Sequence, residues 1–309
     1  MRPVLLSLQD WDGLAGRIAK GLGADIGEVL VRRFPDDESY LRIETDVKGR
    51  NVVLFTSLAR PDNKILQVLF AAELARDLGA TSVKLIAPYL PYMRQDKRFQ
   101  PGEAVTSTYF AQLLSDRING LVTIDPHLHR RTSLTEIYSI PTHVAHAAPL
   151  ISNWIKTNVR QPVLVGPDEE SAQWVAAVAE AADASHVVLK KIRRGDRDVD
   201  IEVPDLAHWK NKTPVLVDDI ISTARTMTET VKHLAASGLA PPICIGVHGI
   251  FAGSAFEDLQ KAGAARIVTT NAVDHSSNTI DVAALLVDGI QKLETGSPND
   301  NAIPKGRGV

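Results

Sequence analysis

The chain has 309 residues, long enough for two domains, and its 44 % hydrophobic and 23 % charged composition is that of a globular protein. A net charge of -3 gives no general attraction for nucleic acid, so any basic chemistry must be local. The single cysteine, Cys244, excludes an intramolecular disulfide and suits a reducing cytoplasm.

The opening MRPVLLSLQDWDGLAGRIAK has a short apolar segment followed by acids, which fits neither a secretory leader nor a membrane span, so no membrane role is expected. NVVLFTS, SVKLIAP and LVTIDPH then read as strands, separated by the helical patterns KILQVLFAAELARDLG and TSTYFAQLLSDRI. Continuous apolar strands between amphipathic helices signal a parallel sheet covered on both faces. The second half repeats the scheme: PVLVGPDEES, a helix over about 170–181, HVVLKKI, PVLVDD, a helix over about 226–236, and ICIGVHG.

The stretch from VVLFTSLARP and the stretch from PVLVDDIIST both read strand, polar loop, helix, turn, strand, which implies a duplicated unit. The expected fold class is therefore α/β, with two similar domains, each a mainly parallel sheet covered by helices. They divide as 1–147 and 148–293, followed by a polar tail over 294–309.

Ligands of open parallel sheets bind outside the carboxyl ends of the strands, where helix N-termini offer N–H groups and partial positive charge. PVLVDDIISTARTMTET occupies such a place. Backbone N–H groups and the hydroxyls of Ser222, Thr223 and Thr226 suit a phosphate, while Asp218 and Asp219 suit sugar hydroxyls or an associated cation. The simpler alternative is that Ser222 or Thr223 caps the following helix.

Arg94, Lys97 and Arg98 follow the strand SVKLI, where guanidinium groups suit phosphate oxygens; a solvated charged loop is the alternative. Asp125 and His127 leave the end of LVTI. They do not form a zinc signature, and magnesium held together with phosphates is the better match. His129, Arg130 and Arg131 are expected at the surface or a subunit contact, and His146 among structural or surface histidines. Lys190, Lys191, Arg193, Arg194 and Arg197 form either a loop closing over a polyphosphate or a hairpin with a charged tip. Neither a Walker loop nor a Gly-x-Gly-x-x-Gly fingerprint is present.

RRFPDDESYLRI, PYMRQDKRFQPGEAVTS, TIDPH, VGPDEES, KKIRRGDRDV and VLVDDIISTARTM, in this order, resemble the ribose-phosphate pyrophosphokinase family over nearly the whole chain. The resemblance implies two domains of the type I phosphoribosyltransferase kind. It also implies transfer of the pyrophosphoryl group of MgATP to the C1 hydroxyl of ribose 5-phosphate, releasing AMP. Phe34, Asp36 and Glu38 would then hold ATP across a subunit interface, together with Arg94, Gln95 and Asp96.

By the same resemblance His127 and Asp125 match metal-binding positions, and Asp168 a ribose or metal carboxylate. Lys191 and Arg193 match a mobile catalytic loop, and Asp218, Asp219 and Ser222 to Thr226, including Ala224 and Arg225, match the ribose 5-phosphate loop. Mg2+ is the implied cofactor, inorganic phosphate a candidate activator, and a cytoplasmic dimer or hexamer the implied assembly. Three departures stand out: Ala224-Arg225 where the family turn contains glycine, Pro126 within TIDPH, and Glu169-Glu170 after Asp168. A phosphoribosyltransferase that consumes the activated ribose, or a non-catalytic regulatory homologue, are the competing readings.

Overall fold

The computed structural model describes residues 1–128, 130–167, 171–194, 198–202 and 209–296, and of residues 173, 190–194 and 198–202 the backbone alone. The chain begins β1 (Val4–Ser7), α1 (Leu14–Leu22), β2 (Asp25–Gly27), β3 (Val29–Arg33), β4 (Ser39–Ile43), β5 (Asn51–Phe55) and α2 (Asp62–Asp77). It continues β6 (Ser82–Ile86), α3 (Thr106–Ser115), β7 (Leu121–Ile124), β8 (Thr142–Ala145) and α4 (Ala148–Asn158). The second series is β9 (Pro162–Gly166), α5 (Ala172–Ala182), β10 (Ser185–Val188), β11 (Lys190–Arg194), β12 (Asp198–Glu202) and β13 (Thr213–Ile221). It ends α6 (Arg225–Ala236), β14 (Ile243–Gly249), α7 (Ala255–Lys261), β15 (Arg266–Thr270), β16 (Asn278–Ile280) and α8 (Ala283–Thr295).

Two six-stranded sheets result, in the orders β2-β1-β5-β6-β7-β8 and β10-β9-β13-β14-β15-β16. Every pairing within them is parallel. Burial along β5, β7 and β8 is continuous rather than alternating, because helices cover both faces of a parallel sheet. The two orders are the same permutation, and each unit inserts an antiparallel hairpin after its second strand: β3–β4 in the first and β11–β12 in the second. The duplicated unit read in the sequence is thus a repeat of topology.

HVVLKKI, expected as one strand, is two. Leu189 N–H still bonds Gly166 O of β9 at 3.0 Å, whereas Lys190 has turned away to pair with Glu202. The hairpin alternative is therefore the backbone that the charged run adopts, with residues 195–197 outside the described residues.

One compact unit contains Met1–His146 and the segment that begins at Val282; the other contains Ala147–Asp281. The linear division at residue 147 differs from this at α8, which was expected in the second domain. Its stripe of Ala283, Leu286, Gly289 and Ile290 is buried, and the helix packs on α1, β7 and β8. Gly289 permits that approach: a Cβ there would lie 2.6 Å from Val122 Cγ1 and 2.9 Å from His143 Cδ2. Gly21 does the same on α1, where a Cβ would meet Val287 Cγ2 at 2.6 Å. An amphipathic stripe shows that a helix is buried, but not which sheet it covers. Among the described residues, no helix is long and apolar enough to cross a membrane.

Candidate active site

In the second unit, Asp218 and Asp219 lie inside β13 rather than after it, with Asp218 opposite Gly246 of β14. Asp219 N–H donates to Asp218 Oδ1 at 3.0 Å, which eases the repulsion between adjacent acids. The strand ends at Ile221, whose carbonyl accepts the Ile250 and Phe251 N–H groups at 3.0 Å each, while Ser222 O accepts from Ala252 at 3.0 Å. These bonds tie the turn to the segment that leaves β14.

The residue at the cap position of α6 is Ala224, which brings no side-chain hydrogen bond to the helix end. Ala224 occupies the cap position with φ 54° and ψ 12°, a left-handed backbone that costs a residue with a Cβ about 1–2 kcal/mol. Its carbonyl accepts the Thr228 N–H at 2.7 Å, so the helix starts at once. The first N–H groups of α6, at Arg225, Thr226 and Met227, face out of the helix end, beside the half-buried Thr226 and exposed Arg225 and Thr223. Such an end is chemically suited to an anion, and Asp218 and Asp219 precede it.

The other expected residues of this unit are less fully placed. Lys191 and Arg193 lie on strand β11, with Lys191 opposite Ile201 and Arg193 opposite Val199. Their side chains, and all of Asp168, fall outside the described residues.

In the first unit, the segment after β6 turns at Tyr92, which has φ 63° and a hydroxyl bonded to Asp62. Burial, with that hydrogen bond, pushes the Tyr92 phenol up to about 12. Gln95 serves the start of α3: its Oε1 accepts from Thr106 Oγ1 at 3.1 Å and its carbonyl from Ser107 N–H at 3.3 Å. Asp96, with a side chain only 4 % exposed, is engaged by Arg130 at 3.0 Å, and its carbonyl by Arg131 at 3.4 Å. Arg130 and Arg131 are therefore held against this loop, and the Arg131 side chain is largely buried. The sequence offered no signal for that contact across more than thirty residues. Lys97 and Arg130 also flank the exposed Phe99 ring, 5.2 and 5.4 Å from its centroid. Arg94 is exposed.

Strands β7 and β8 end side by side, with Ile124 opposite Ala145. The next residues meet. Asp125 N–H donates to Ala145 O at 3.0 Å, and His146 Nδ1 donates to Asp125 Oδ1 at 2.8 Å. A carboxylate only accepts, so the imidazole proton sits on Nδ1. Asp125 has φ 32° and precedes Pro126, although a residue before proline favours extended backbone. Such a conformation costs about 1–3 kcal/mol and persists only where surrounding contacts impose it. His127 follows, half-buried. Among the described residues, no group of three or more His, Cys, Asp and Glu is arranged to hold a metal ion.

Phe34, Asp36 and Glu38 lie on the tip of the β3–β4 hairpin, which packs through β4 on α2. Phe34 N–H bonds Glu38 O at 2.8 Å, Asp37 takes φ 69°, and the exposed Phe34 ring meets Tyr40 edge-on at 5.8 Å. Arg32 lies 4.7 Å from the Phe34 centroid and 4.0 Å from that of Tyr40. A cavity lined by Ser7, Gly27, Glu28, Val29, Leu30 and Glu44 at the hairpin root includes none of the expected site residues.

Two family models match. One, described as the N-terminal domain of ribose phosphate pyrophosphokinase, matches residues 3–117, and a phosphoribosyl transferase domain matches residues 133–285. The ribose-phosphate pyrophosphokinase of Saccharolobus solfataricus is 30 % identical over 278 residues, covering 88 % of this chain and 94 % of that protein. That of Methanosarcina acetivorans is 31 % identical over 283 residues, covering 91 % and 96 %. The crystal structure of phosphoribosylpyrophosphate synthetase from Mycobacterium smegmatis superposes with a TM-score of 0.81 at 22 % identity, over 96 % of this chain and all of that one. That likeness establishes the fold.

Proposed function

The chain belongs to the ribose-phosphate pyrophosphokinase family, and from that membership we propose that it transfers the pyrophosphoryl group of ATP to the C1 hydroxyl of ribose 5-phosphate. The products are phosphoribosyl pyrophosphate and AMP. The observation that carries the reading is the turn between β13 and α6. Two acids, a hydroxyl-bearing turn and a helix N-terminus follow one another there at the carboxyl end of a parallel strand.

In this reading the helix end and the hydroxyls of Ser222, Thr223 and Thr226 take the 5-phosphate, with Arg225 adding a guanidinium. Asp218 and Asp219 orient the ribose hydroxyls. Phe34, Asp36, Glu38, Arg94, Gln95 and Asp96 belong to ATP, with Arg130 neutralising Asp96 so that Arg94, Lys97 and Arg98 leave the loop net positive. In-line attack at the β-phosphorus spreads charge over the non-bridging oxygens and the departing AMP, so positioning and positive charge dominate catalysis. Lys191 and Arg193 are the proposed stabilisers.

Asp125 and His127 fit a magnesium ion that keeps most of its ligands as water and phosphate oxygens, because a carboxylate fixed by an imidazole is a suitable hard donor. Asp168 is a proposed ribose or metal carboxylate. The ion, when bound, neutralises phosphate charge. Inorganic phosphate is the proposed activator and the cytoplasm the proposed compartment. Exposed Leu66 and Phe70 on α2, and Tyr109 and Leu113 on α3, support self-association as a dimer or hexamer.

The test is to incubate the purified chain with MgATP, ribose 5-phosphate and inorganic phosphate and to follow products by 31P NMR. AMP appearing in step with phosphoribosyl pyrophosphate is expected. Absence of both would overturn the reading in favour of a non-catalytic homologue or of an enzyme that consumes the activated ribose.

A further inference from the structure

Asp125 is held in a conformation that its own side chain and its successor both oppose. It has φ 32°, and Pro126 disfavours anything but extended backbone before it. Two contacts hold it there: the backbone bond to Ala145 and the His146 imidazole on its carboxylate. The first merely extends the β7–β8 ladder. The second fixes the side chain, and the Asp125 carboxylate is 8 % exposed, so water cannot substitute freely for the imidazole.

We propose that His146 is a positioning residue: it locks Asp125, and through Asp125 the rigid bend that carries His127, into the geometry that binds a divalent cation. The inference rests on the reading of the β7 end as the cation side of the reaction. It also links two features that look unrelated along the chain. Pro126 stiffens the bend, and His146, arriving from the neighbouring strand, supplies a side-chain contact to it.

The experiment is an electron paramagnetic resonance titration of Mn2+ into the full chain without nucleotide. His146→Ala is expected to weaken Mn2+ binding by about 10–100-fold, the usual cost of removing a partner that orients a ligand. His146→Asn places an amide N–H where Nδ1 lies and is expected to retain affinity within about threefold, whereas His146→Gln places it one bond further and is not. Because both are polar, their contrast remains decisive if the alanine variant fails to fold. Equal affinity in parent and alanine variant, equal losses in Asn and Gln variants, or a parent that binds no Mn2+ would each overturn the proposal. A parent that forms AMP while its Mn2+ affinity ignores residue 146 removes this inference alone. A parent that forms none removes the assigned reaction, and the titration still decides on His146.

Discussion

Ala224 is where backbone geometry can be tested most directly. It is 7 % exposed and sits at φ 54°, ψ 12°. Ala224→Gly relieves a left-handed penalty of about 1–2 kcal/mol. It also restores about 0.4–1 kcal/mol of unfolded-chain entropy and deletes one buried methyl worth about 0.8 kcal/mol. These effects nearly cancel, so the variant is expected within about 1 kcal/mol of the parent. Ala224→Val is different, because a branched Cβ at positive φ is a true outlier and the added methyls overpack a buried site at about 1–3 kcal/mol. A loss of about 2 kcal/mol or more is expected.

An alanine with negative φ would make glycine about 1 kcal/mol worse than the parent and leave valine with the overpacking cost alone. Urea denaturation followed by far-UV circular dichroism reads the difference, and calorimetry with ribose 5-phosphate reads the turn. The glycine variant should keep its sugar-phosphate affinity, and the valine variant should lose about tenfold, or 1.4 kcal/mol. A glycine variant that loses about 2 kcal/mol while the valine variant unfolds with the parent would refute the assigned backbone.

Lys191→Ala should lower kcat by about 10²–10³-fold while changing ribose 5-phosphate affinity little, because a charge aimed at the transition state acts there. Near-normal single-turnover rates would sink that role. His275 packs against Phe251 and Phe256 with ring centroids 4.4 and 4.7 Å away, and its Nδ1 accepts the Ser277 N–H at 3.2 Å. Burial holds this imidazole below its usual value of 6.5, opposed by Asp274 and Glu257. The unfolded chain therefore takes up the proton first. The contribution is full above the unfolded value and is lost as pH falls through it towards the folded value. Urea midpoints at pH 7.5 and 5 should drop further in the parent than in His275→Leu, and an equal drop would remove the assignment.

The parallel strands were legible because a doubly covered sheet makes continuous apolar runs, and the duplication was legible because each half repeats strand, loop and helix. The Asp218–Thr226 turn could be recognised from its acids and hydroxyls. What could not be read was geometry set elsewhere. Alanine says nothing about the sign of its own φ, so the cap conformation of Ala224 emerged only with the fold. His146 and Asp125 are 21 residues apart, and only the register of β7 on β8 makes them neighbours. Arg130 looked solvated because its partner, Asp96, lies in the loop between β6 and α3, far along the chain. HVVLKKI looked like one strand since the exit at Leu189 leaves no local mark.

The return of α8 to the first unit also sets an order on synthesis. The ribosome delivers β1 to β8 first, yet the surfaces of α1, β7 and β8 that α8 covers stay bare until residues 283–295 emerge. All of the second unit, Ala147–Asp281, is made in between. At about 5–20 residues per second that interval lasts roughly 7 to 27 s. The unit begun first is thus the last to be completed, and a nascent chain stalled anywhere in the second unit exposes the apolar floor of the first to chaperones.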